Sequence, residues 1–321
     1  MNRSKMRKCQ SSNIEWIDAQ SQNNSYLYSD DKFVTEAHTI NTIVFELTNN
    51  CDINCIYCPK DGQDELDFNL IKRLLDENIL LENPVSHFEL GWDMGNPLLH
   101  SRIKDIIDIF NSFSCSVNIL TNGKDLLKYL KILDLVNQNF TIFLDHPEKK
   151  KNDELMGEGV YGNTIKAFKH LKDNGIMFSV IMRLNMHNFD KTAEMNKLVR
   201  KNGAGGLIPT EIYPLGKANS EMMMDDDMKK KAIEDIEKLG FHKSVHFSEA
   251  LKNMNCSYQR MDRICIDSKG NLNFCHFLTS IPLSKIVDAN NKHLLELIQI
   301  NNKARIGFLK NKDLLFDQWK K

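Results

Sequence analysis

Residues 42–58 read TIVFELTNNCDINCIYC, a β-branched apolar run that passes directly into a loop carrying three cysteines. The run has the composition of a buried strand, and Cys51, Cys55 and Cys58 follow it with three and two residues between them. Three thiolates on one short loop suit an iron–sulfur cubane, and three ligands for four irons leave one iron open. A structural zinc ion is the alternative, but zinc commonly takes four ligands from two Cys-x-x-Cys pairs. The chain has no second such pair.

Further strand-like runs follow at regular spacing, and each is succeeded by a stretch with helical periodicity. Such units predict parallel strands joined by helical crossovers, a pattern shared by barrels and by doubly wound sheets. No glycine-rich phosphate loop follows the first strand, which argues against a dinucleotide or nucleoside triphosphate site. The predicted strands are 42–47, 86–91, 115–120, 140–144, 176–182 and 207–213, and the predicted helices are 66–81, 98–110, 125–136, 164–173, 192–201 and 222–239.

The regular alternation covers only part of the chain and predicts three segments. An N-terminal extension occupies 1–41, the repeated α/β unit occupies 42–240, and the remainder, 241–321, carries a second group of cysteines and a helical tail. That second group is Cys256, Cys265 and Cys275. The stretch CIDSKGNLNFC (265–275) predicts a β-hairpin whose turn is Ser-Lys-Gly-Asn.

The bulk composition excludes several classes of protein. With 41% hydrophobic residues and a formal net charge of −1, the chain can bury a sizeable core and has no obvious affinity for a nucleic acid. No apolar run is long enough to span a membrane, and the basic start is followed by polar residues rather than a secretory signal. Six of the eight cysteines fall in two groups, which favours metal or redox chemistry over disulfides. We therefore expect a cytoplasmic protein.

The first cysteine loop resembles that of the radical S-adenosylmethionine (SAM) superfamily. The resemblance implies a partial (β/α)6, TIM-like barrel in which Cys51, Cys55 and Cys58 hold a 4Fe–4S cluster. It implies that SAM chelates the open iron through its amino and carboxyl groups, and that Tyr57 lies against the adenine. Reduction by a donor such as flavodoxin or ferredoxin would then yield a 5′-deoxyadenosyl radical, which abstracts hydrogen from an unactivated carbon.

Later stretches are similar to further motifs of this family, in the same order. FELGWDMGNPLLH (88–100) resembles the second-strand Gly-Gly-Glu-Pro motif, whose turn binds the SAM amino group. Gly95 matches this motif, whereas Asn96 stands where glutamate is usual. Its amide oxygen can accept a hydrogen bond, but without the added strength that a carboxylate gives to a bond with an ammonium group. The resemblance also implies that Asn122 in ILTNGKDLL faces the cofactor and that Arg183 contacts the SAM ribose or carboxylate.

Two further motifs carry substitutions relative to the family. Asp145 in FLDHPE aligns with the aspartate of Ser-Leu-Asp-Gly and is a candidate catalytic residue, whereas Phe143 replaces the serine that contacts the ribose. YPLGKA (213–218) resembles the sixth-strand Pro-x-Gly-Arg-Ala motif, with Lys217 in place of arginine.

The second group of cysteines resembles the auxiliary-cluster segment of the SPASM and twitch subfamilies. Their pattern ends in Gly-x4-Cys, which Gly270 and Cys275 match. The resemblance implies a second, auxiliary 4Fe–4S cluster held by Cys256, Cys265 and Cys275. A zinc-binding remnant is the alternative. His276 follows the last cysteine, where a related branch carries an acidic general base, and an imidazole can accept a proton near neutral pH. A histidine that merely packs there is the plainer interpretation.

The resemblance favours modification of a ribosomal peptide by oxidation, epimerisation or cross-linking. An amino-sugar or cyclitol dehydrogenase or epimerase is the alternative within the superfamily, and a non-catalytic iron–sulfur or zinc protein is the alternative outside it. Epimerisation requires a thiol that returns hydrogen to the substrate, for which Cys115 and Cys9 are the cysteines outside the two groups. The plainer interpretation of Cys115 is a small buried side chain at the start of a strand.

Overall fold

A computed structural model of the 321-residue chain describes residues 42–58, 62–78, 85–91, 95–113, 115–135, 138–212, 216–240, 263–273 and 284–285. The predictions for the extension 1–41 and for the helical tail lie outside the described residues. The same holds for Cys9, Cys256, Cys275 and His276.

Six parallel strands form an open sheet, as the alternating sequence pattern predicts. They lie side by side in chain order, and each pairs in parallel with the next. This arrangement confirms the predicted partial barrel of α/β units. The strands are β1 (Thr42–Phe45), β2 (His87–Leu90), β3 (Ser116–Thr121), β4 (Gln138–Phe143), β5 (Phe178–Leu184) and β6 (Gly206–Glu211).

Seven described helices accompany these strands, and each predicted helix has a counterpart among them. They are α1 (Phe68–Asn78), α2 (Ile103–Ser112), α3 (Leu126–Leu130), α4 (Lys149–Met156), α5 (Val160–Asp173), α6 (Thr192–Lys201) and α7 (Asp226–Lys238). Two short 3-10 turns, Pro97–Leu99 and Ser220–Met222, occupy places where the periodicity predicts helix. Helix α4 has no counterpart in the sequence prediction.

The hydrophobic core lies between the helices and one face of the sheet. Phe45 of β1, Phe88 of β2 and Phe110 of α2 are fully buried there, and the rings of Phe88 and Phe110 are 5.2 Å apart between centroids. Because side chains alternate along a strand, every second residue of β1 and β2 points into this layer. Burial of these large rings against the helices is the main stabilising contribution of the layer.

The opposite face of the sheet carries several polar side chains. Glu89 pairs in register with Asn118, and Thr141 pairs with Ser179, so these side chains share the face that points away from the core cluster. The Thr141 hydroxyl donates to the Asn118 amide oxygen at 3.1 Å. A polar inner face is what a barrel needs where it encloses a polar molecule rather than a packed core.

A β-hairpin extends the sheet beyond β1, as the second cysteine segment predicts. Strand β7 (Arg263–Ile266) pairs in parallel with β1, and β8 (Asn271–Asn273) returns antiparallel to β7. A two-residue strand, β9 (Ser284–Lys285), pairs with β8. The nine-stranded sheet is therefore continuous from β6 at one edge to β9 at the other. The division between 42–240 and 241–321 stays a prediction, since both parts share one sheet.

An ion pair joins the hairpin to the barrel. The Arg263 guanidinium lies 2.7 Å from the Glu89 carboxylate, and the two side chains are 16% and 5% exposed. Although burial acts to raise it, the neighbouring Arg263 brings the pKa of Glu89 below its ordinary value.

Within the described residues, no helix is both long enough and apolar enough to cross a membrane.

Candidate cofactor-binding site

The three cysteines lie on the loop that follows β1, at the carboxyl end of the parallel strands. We name residues 51–58 the cluster loop. Its middle is fixed against the carboxyl end of α4, because the Ile56 N–H donates to the Leu155 carbonyl at 3.0 Å. Ile53, Cys55 and Ile56 pack on the buried side chains of Leu155, Met156 and Val160. The loop therefore sits where barrel enzymes carry their active sites.

The cluster-loop thiols are partly buried and close enough to influence one another. Burial raises the pKa of Cys51, and it raises that of Cys55 well above its ordinary value. The charges of Cys51 and Cys58 raise the pKa of Cys55 further. The Asn122 amide donates to the Cys51 sulfur at 3.6 Å. Bound iron would offset the cost of deprotonating such buried thiols, which fits these residues as cluster ligands.

A single metal ion fits these residues less well than a cluster does. Among the described residues, no three histidine, cysteine or acidic side chains converge closely enough to hold one ion. Zinc requires its ligands to meet at one centre, whereas a cubane takes each thiolate on a different iron. A cubane therefore does not require the three thiols to meet at one ion, and the four-iron centre stays the prediction of their spacing.

The turn after β2 lies directly against residues 48–50, which lead into the cluster loop. Gly95 has φ +69°, and a Cβ added there would lie 2.1 Å from the Thr48 carbonyl oxygen. The Asn96 N–H donates to the Asn50 carbonyl at 2.6 Å. Only glycine allows this approach of two backbones, so the second-strand motif and the cluster loop are built together.

Asn96 does not use its amide oxygen as the sequence suggests. That oxygen accepts from the Leu98 N–H at 3.3 Å and from the Thr121 hydroxyl at 3.1 Å. Its amide nitrogen donates to the Asp52 carboxylate at 3.2 Å. Both lone pairs of the amide oxygen are thus engaged within the protein, and the side chain is 1% exposed.

Asp52 joins the turns after β2 and β3 to the cluster loop. Its Oδ1 accepts from Asn96 and also from the Asn122 amide, at 2.8 Å. The Lys124 ammonium donates to the Asp52 backbone carbonyl at 2.7 Å. Sequence reasoning singled out Asn96 and Asn122 but missed Asp52 and Lys124, because no residue pattern indicates which side chains meet between separate turns.

Tyr57 and Asp145 meet on the other side of the loop. The Tyr57 hydroxyl donates to Asp145 Oδ2, and the Arg183 N–H donates to Asp145 Oδ1 at 2.8 Å. Tyr57 is 5% exposed and packs with Ile212 and Ala218. The Arg183 guanidinium lies over the Phe143 ring, 4.6 Å from its centroid, and its charge lowers the pKa of Cys55 against the effect of burial.

Burial changes the ionisation of Asp145. It is fully buried, and burial raises its pKa from 3.8 to about 7, although Arg183 acts in the opposite direction. Its backbone is held by Asn152 of α4, whose Oδ1 accepts from the Asp145 N–H at 2.9 Å. Helix α4, which sequence reasoning missed, thus fixes both Asp145 and the cluster loop.

The sixth-strand motif also contacts the cluster loop. The Lys217 N–H donates to the Cys58 carbonyl at 3.1 Å, and the Lys217 ammonium donates to the Asn54 side chain. A cavity of about 500 Å³ adjoins the loop. It is lined by Cys51, Asp52, Ile53, Asn54, Lys124, Gly157, Glu158 and Val160.

Not every predicted site residue is brought to this place. Cys115 precedes β3, at the amino end of the strands and thus the far end from the cluster loop, and its thiol faces the Phe110 carbonyl at 3.8 Å. Cys265 lies fully buried within β7, in register with Val44 and Asn273. Its partners in the second cysteine group, and His276, are outside the described residues.

Comparison with known proteins finds a matching family model. The model of the radical SAM superfamily matches residues 45–199. AlbA of Bacillus subtilis (strain 168), an antilisterial bacteriocin subtilosin biosynthesis protein, is 29% identical over 168 residues, which cover 50% of this chain and 37% of AlbA. An uncharacterized protein of Methanocaldococcus jannaschii is 22% identical over 279 residues, which cover 82% of this chain and 93% of that protein.

Solved structures share the fold. SuiB of Streptococcus suis, bound to its precursor peptide SuiA, superposes with a TM-score of 0.62 at 16% identity, covering 81% of this chain and 64% of that one. The chain thus spans less than two thirds of the length of AlbA and of SuiB. The matched residues 45–199 include the cluster loop and the turns after β2 and β3. Residues 45–199, just under half of the chain, thus match the radical SAM superfamily.

Proposed function

We propose that this chain cleaves SAM reductively at the cluster loop and removes a hydrogen atom from an sp3 carbon of a ribosomal precursor peptide. The observation that carries the proposal is that the turns after β2, β3 and β6 and the end of α4 all contact the loop that carries Cys51, Cys55 and Cys58. AlbA, a bacteriocin biosynthesis protein, and SuiB, bound to a precursor peptide, support the peptide as substrate. The reductant would be a small electron carrier such as flavodoxin or ferredoxin.

The residues around the loop have distinct parts in this proposal. The three thiolates hold the cluster, and Tyr57, closed over by Ile212 and Ala218, gives the adenine an aromatic wall. The Arg183 guanidinium faces the same side as Cys55 and suits the SAM carboxylate. When bound, the cluster and SAM together supply the electron transfer and the adenosyl radical that abstracts hydrogen.

The polar inner face supports a peptide substrate below the loop. Glu89, Asn118, Thr141 and Ser179 lie there on four adjacent strands. Hydroxyl and amide groups at such positions can exchange their mutual hydrogen bonds for bonds to peptide groups. An apolar substrate would leave these groups without partners, which is costly.

An auxiliary cluster on Cys256, Cys265 and Cys275 is part of the proposal. The support comes from Cys265, which is buried in strand β7 of the hairpin. Strand β7 pairs with β1, and the cluster loop follows β1 in the chain. A cluster held by these cysteines would accept an electron from the substrate. His276, one residue on from Cys275, remains the candidate base.

Anaerobic reconstitution with iron and sulfide tests the first part of the proposal. The loaded wild type should bind iron and release 5′-deoxyadenosine from SAM when reduced. Cys55→Ala should abolish release, because an open cubane cannot lose one of three thiolates. Cys115→Ala is the matched control and should retain both iron and release, since Cys115 lies at the far end of β3. Bound zinc with no SAM cleavage would instead support a non-catalytic metal protein.

Mass spectrometry of precursor peptides encoded beside this protein's gene tests the substrate. Oxidation or a cross-link appears as the loss of two hydrogens, and epimerisation appears as one solvent deuterium incorporated without such a loss. Turnover of an amino sugar or cyclitol with no change in any peptide would contradict the substrate class and leave SAM cleavage standing.

A further inference from the structure

The Asp52 carboxylate has one satisfied oxygen and one enclosed oxygen without a partner. Oδ1 accepts from the Asn96 and Asn122 amides at 3.2 and 2.8 Å. Oδ2 is buried and makes no hydrogen bond. Since a buried carboxylate oxygen without a partner is costly, this oxygen favours a bound group that carries a hydrogen-bond donor.

The protein does not supply a cation to this oxygen within the part of the chain that the structure describes. The nearest ammonium, that of Lys124, binds the Asp52 backbone carbonyl instead. The two amides fix the carboxylate in one orientation by holding Oδ1 alone. Such an arrangement is typical of a carboxylate that is pre-oriented for a ligand rather than one that balances an internal charge.

The position of Asp52 limits what the ligand can be. It adjoins Cys51, which the proposed function assigns to the cluster, and both residues line the cavity of about 500 Å³. A group that meets this oxygen must therefore bind at the cluster, carry N–H or O–H donors, and preferably be cationic. In SAM, the α-ammonium combines positive charge with N–H donors, whereas the sulfonium has no donor and the ribose hydroxyls have no charge.

Asn96 cannot take this part. Its amide oxygen is already engaged by Leu98 and Thr121, and its amide nitrogen points to Asp52. Asn96 therefore orients the carboxylate, and the negative charge of this corner belongs to the cluster loop rather than to the turn after β2.

We propose that the Asp52 carboxylate binds the α-ammonium group of SAM, with Asn96 and Asn122 as its positioning residues. This inference rests on the proposed function, since it requires SAM at the cluster loop. Asp52, the residue after the first cysteine, would thus supply the negatively charged acceptor that Asn96 cannot supply.

A charge-swap experiment on the iron-loaded protein tests this assignment. Asp52→Asn keeps the shape and an acceptor for the two amides but places a neutral amide at the open oxygen. We expect the dissociation constant for SAM to rise by about tenfold or more. Asp52→Asn combined with Asn96→Glu returns a carboxylate to the same corner and should restore binding to within about threefold of wild type. Asp76→Asn, an exposed residue of α1, is the control and should bind SAM normally.

Two readouts besides turnover separate binding from support of the loop. They are the SAM dissociation constant by equilibrium dialysis, and the change that SAM causes in the electron paramagnetic resonance spectrum of the reduced cluster. The same dissociation constant in Asp52→Asn and wild type would overturn the proposal. A double variant that binds SAM no better than Asp52→Asn, or equal loss of iron from both, would assign Asp52 to the loop's structure and overturn it as well.

The response of the wild type to SAM separates a failure of the Asp52 assignment from a failure of the proposed SAM-cleaving function. An iron-loaded wild type whose spectrum does not respond to SAM would refute the proposed function itself. A wild type that responds, together with an Asp52→Asn variant that responds equally at the same SAM concentration, would refute only the role of Asp52.

Discussion

Asp145 shows how burial at one residue controls protonation beside the cluster loop. Its oxygens accept from the Tyr57 hydroxyl and the Arg183 N–H, and burial raises its pKa from 3.8 to about 7. Because the folded-state pKa lies above the unfolded value, the folded protein keeps a proton between about pH 4 and 7 that the unfolded chain releases. The contribution of Asp145 to the free energy of unfolding is thus fully present below about pH 4 and is lost as the pH rises to about 7.

We expect Asp145→Asn to flatten this pH dependence in the metal-free protein. The variant has no proton to lose, so its free energy of unfolding should not show the fall of roughly 4 kcal/mol that the wild type shows across the range. Urea unfolding at pH 5, 6, 7 and 8 measures the difference. Asp76→Asn should keep the wild-type slope, and an equal slope in Asp145→Asn would show that Asp145 is ionised throughout.

At the residue scale, the sequence identified many site residues but not their contacts. The motifs pointed to Asn96, Asn122 and Asp145, and the structure brings them all to the cluster loop. Asp52 escaped notice because an aspartate in a loop is ordinary. Its part depends on two amides from β2 and β3 turns, which are 44 and 70 residues away in the chain.

The turn after β2 is an element whose conformation depends on one glycine. Gly95 and Gly175 have nearly the same φ, +69° and +67°, but a Cβ would be 2.1 Å from the Thr48 carbonyl at Gly95 and would meet nothing within 4 Å at Gly175. The pair therefore separates backbone strain from steric clash at matched conformation.

We expect Gly175→Ala to cost about 1 kcal/mol of unfolding free energy, the price of a left-handed alanine. Gly95→Ala should cost about 3 kcal/mol more, because the cluster loop must move away from the turn. Chemical unfolding measures both, and iron uptake should fall only in Gly95→Ala. Equal losses of stability in the two variants would show that the backbone at Thr48 can move away from residue 95 without a loss of unfolding free energy.

The ion pair between β7 and β2 makes the second element prediction. Arg263→Met should destabilise the protein by about 3 kcal/mol, since it leaves the Glu89 carboxylate buried and unmatched by its arginine. Arg263→Met with Glu89→Met should recover most of that loss. Lys72→Met, which breaks the exposed pair with Asp76, should leave unfolding almost unchanged. Urea unfolding of the wild type, Arg263→Met, Glu89→Met and the double variant measures the coupling, and additive losses in the double variant would contradict it.

Strands were predicted better than helices at this scale. All six β/α strands lie within a few residues of their predicted bounds, because buried parallel strands are β-branched and nearly continuously apolar. Helix α4 was missed because its sequence, KKKNDELM, is short and mostly polar. It is held by Asn152 and by contacts with the cluster loop rather than by its own periodicity.

At the scale of the whole molecule, the two-cluster proposal predicts the iron content. Cys256→Ala with Cys275→Ala should lower the iron of the reconstituted protein by about half, while 5′-deoxyadenosine release without peptide should persist. Peptide product should be lost, since the second electron has no acceptor. Iron and sulfide analysis measures the content, and Cys115→Ala is the matched control. Unchanged iron in the double variant would refute the auxiliary cluster.

The overall architecture followed from the sequence, whereas the joining of its parts did not. Alternating strands and helices predicted the open barrel, and the Ser-Lys-Gly-Asn turn predicted the hairpin. Periodicity reports which face of a strand is buried, and it does not report which strand lies beside it. The pairing of β7 with β1, more than 200 residues apart, therefore emerged only from the structure.

That pairing leaves β1 with a hydrogen-bonded neighbour on both sides. A chain shortened after Gly240 would lose the β7 neighbour of β1. It would expose a row of peptide donors and acceptors on a strand that is apolar except for Thr42. Such a margin is a template on which other chains self-associate. We expect the shortened chain to form aggregates, which light scattering would detect. The hairpin therefore protects the β1 edge of the barrel in addition to carrying Cys265.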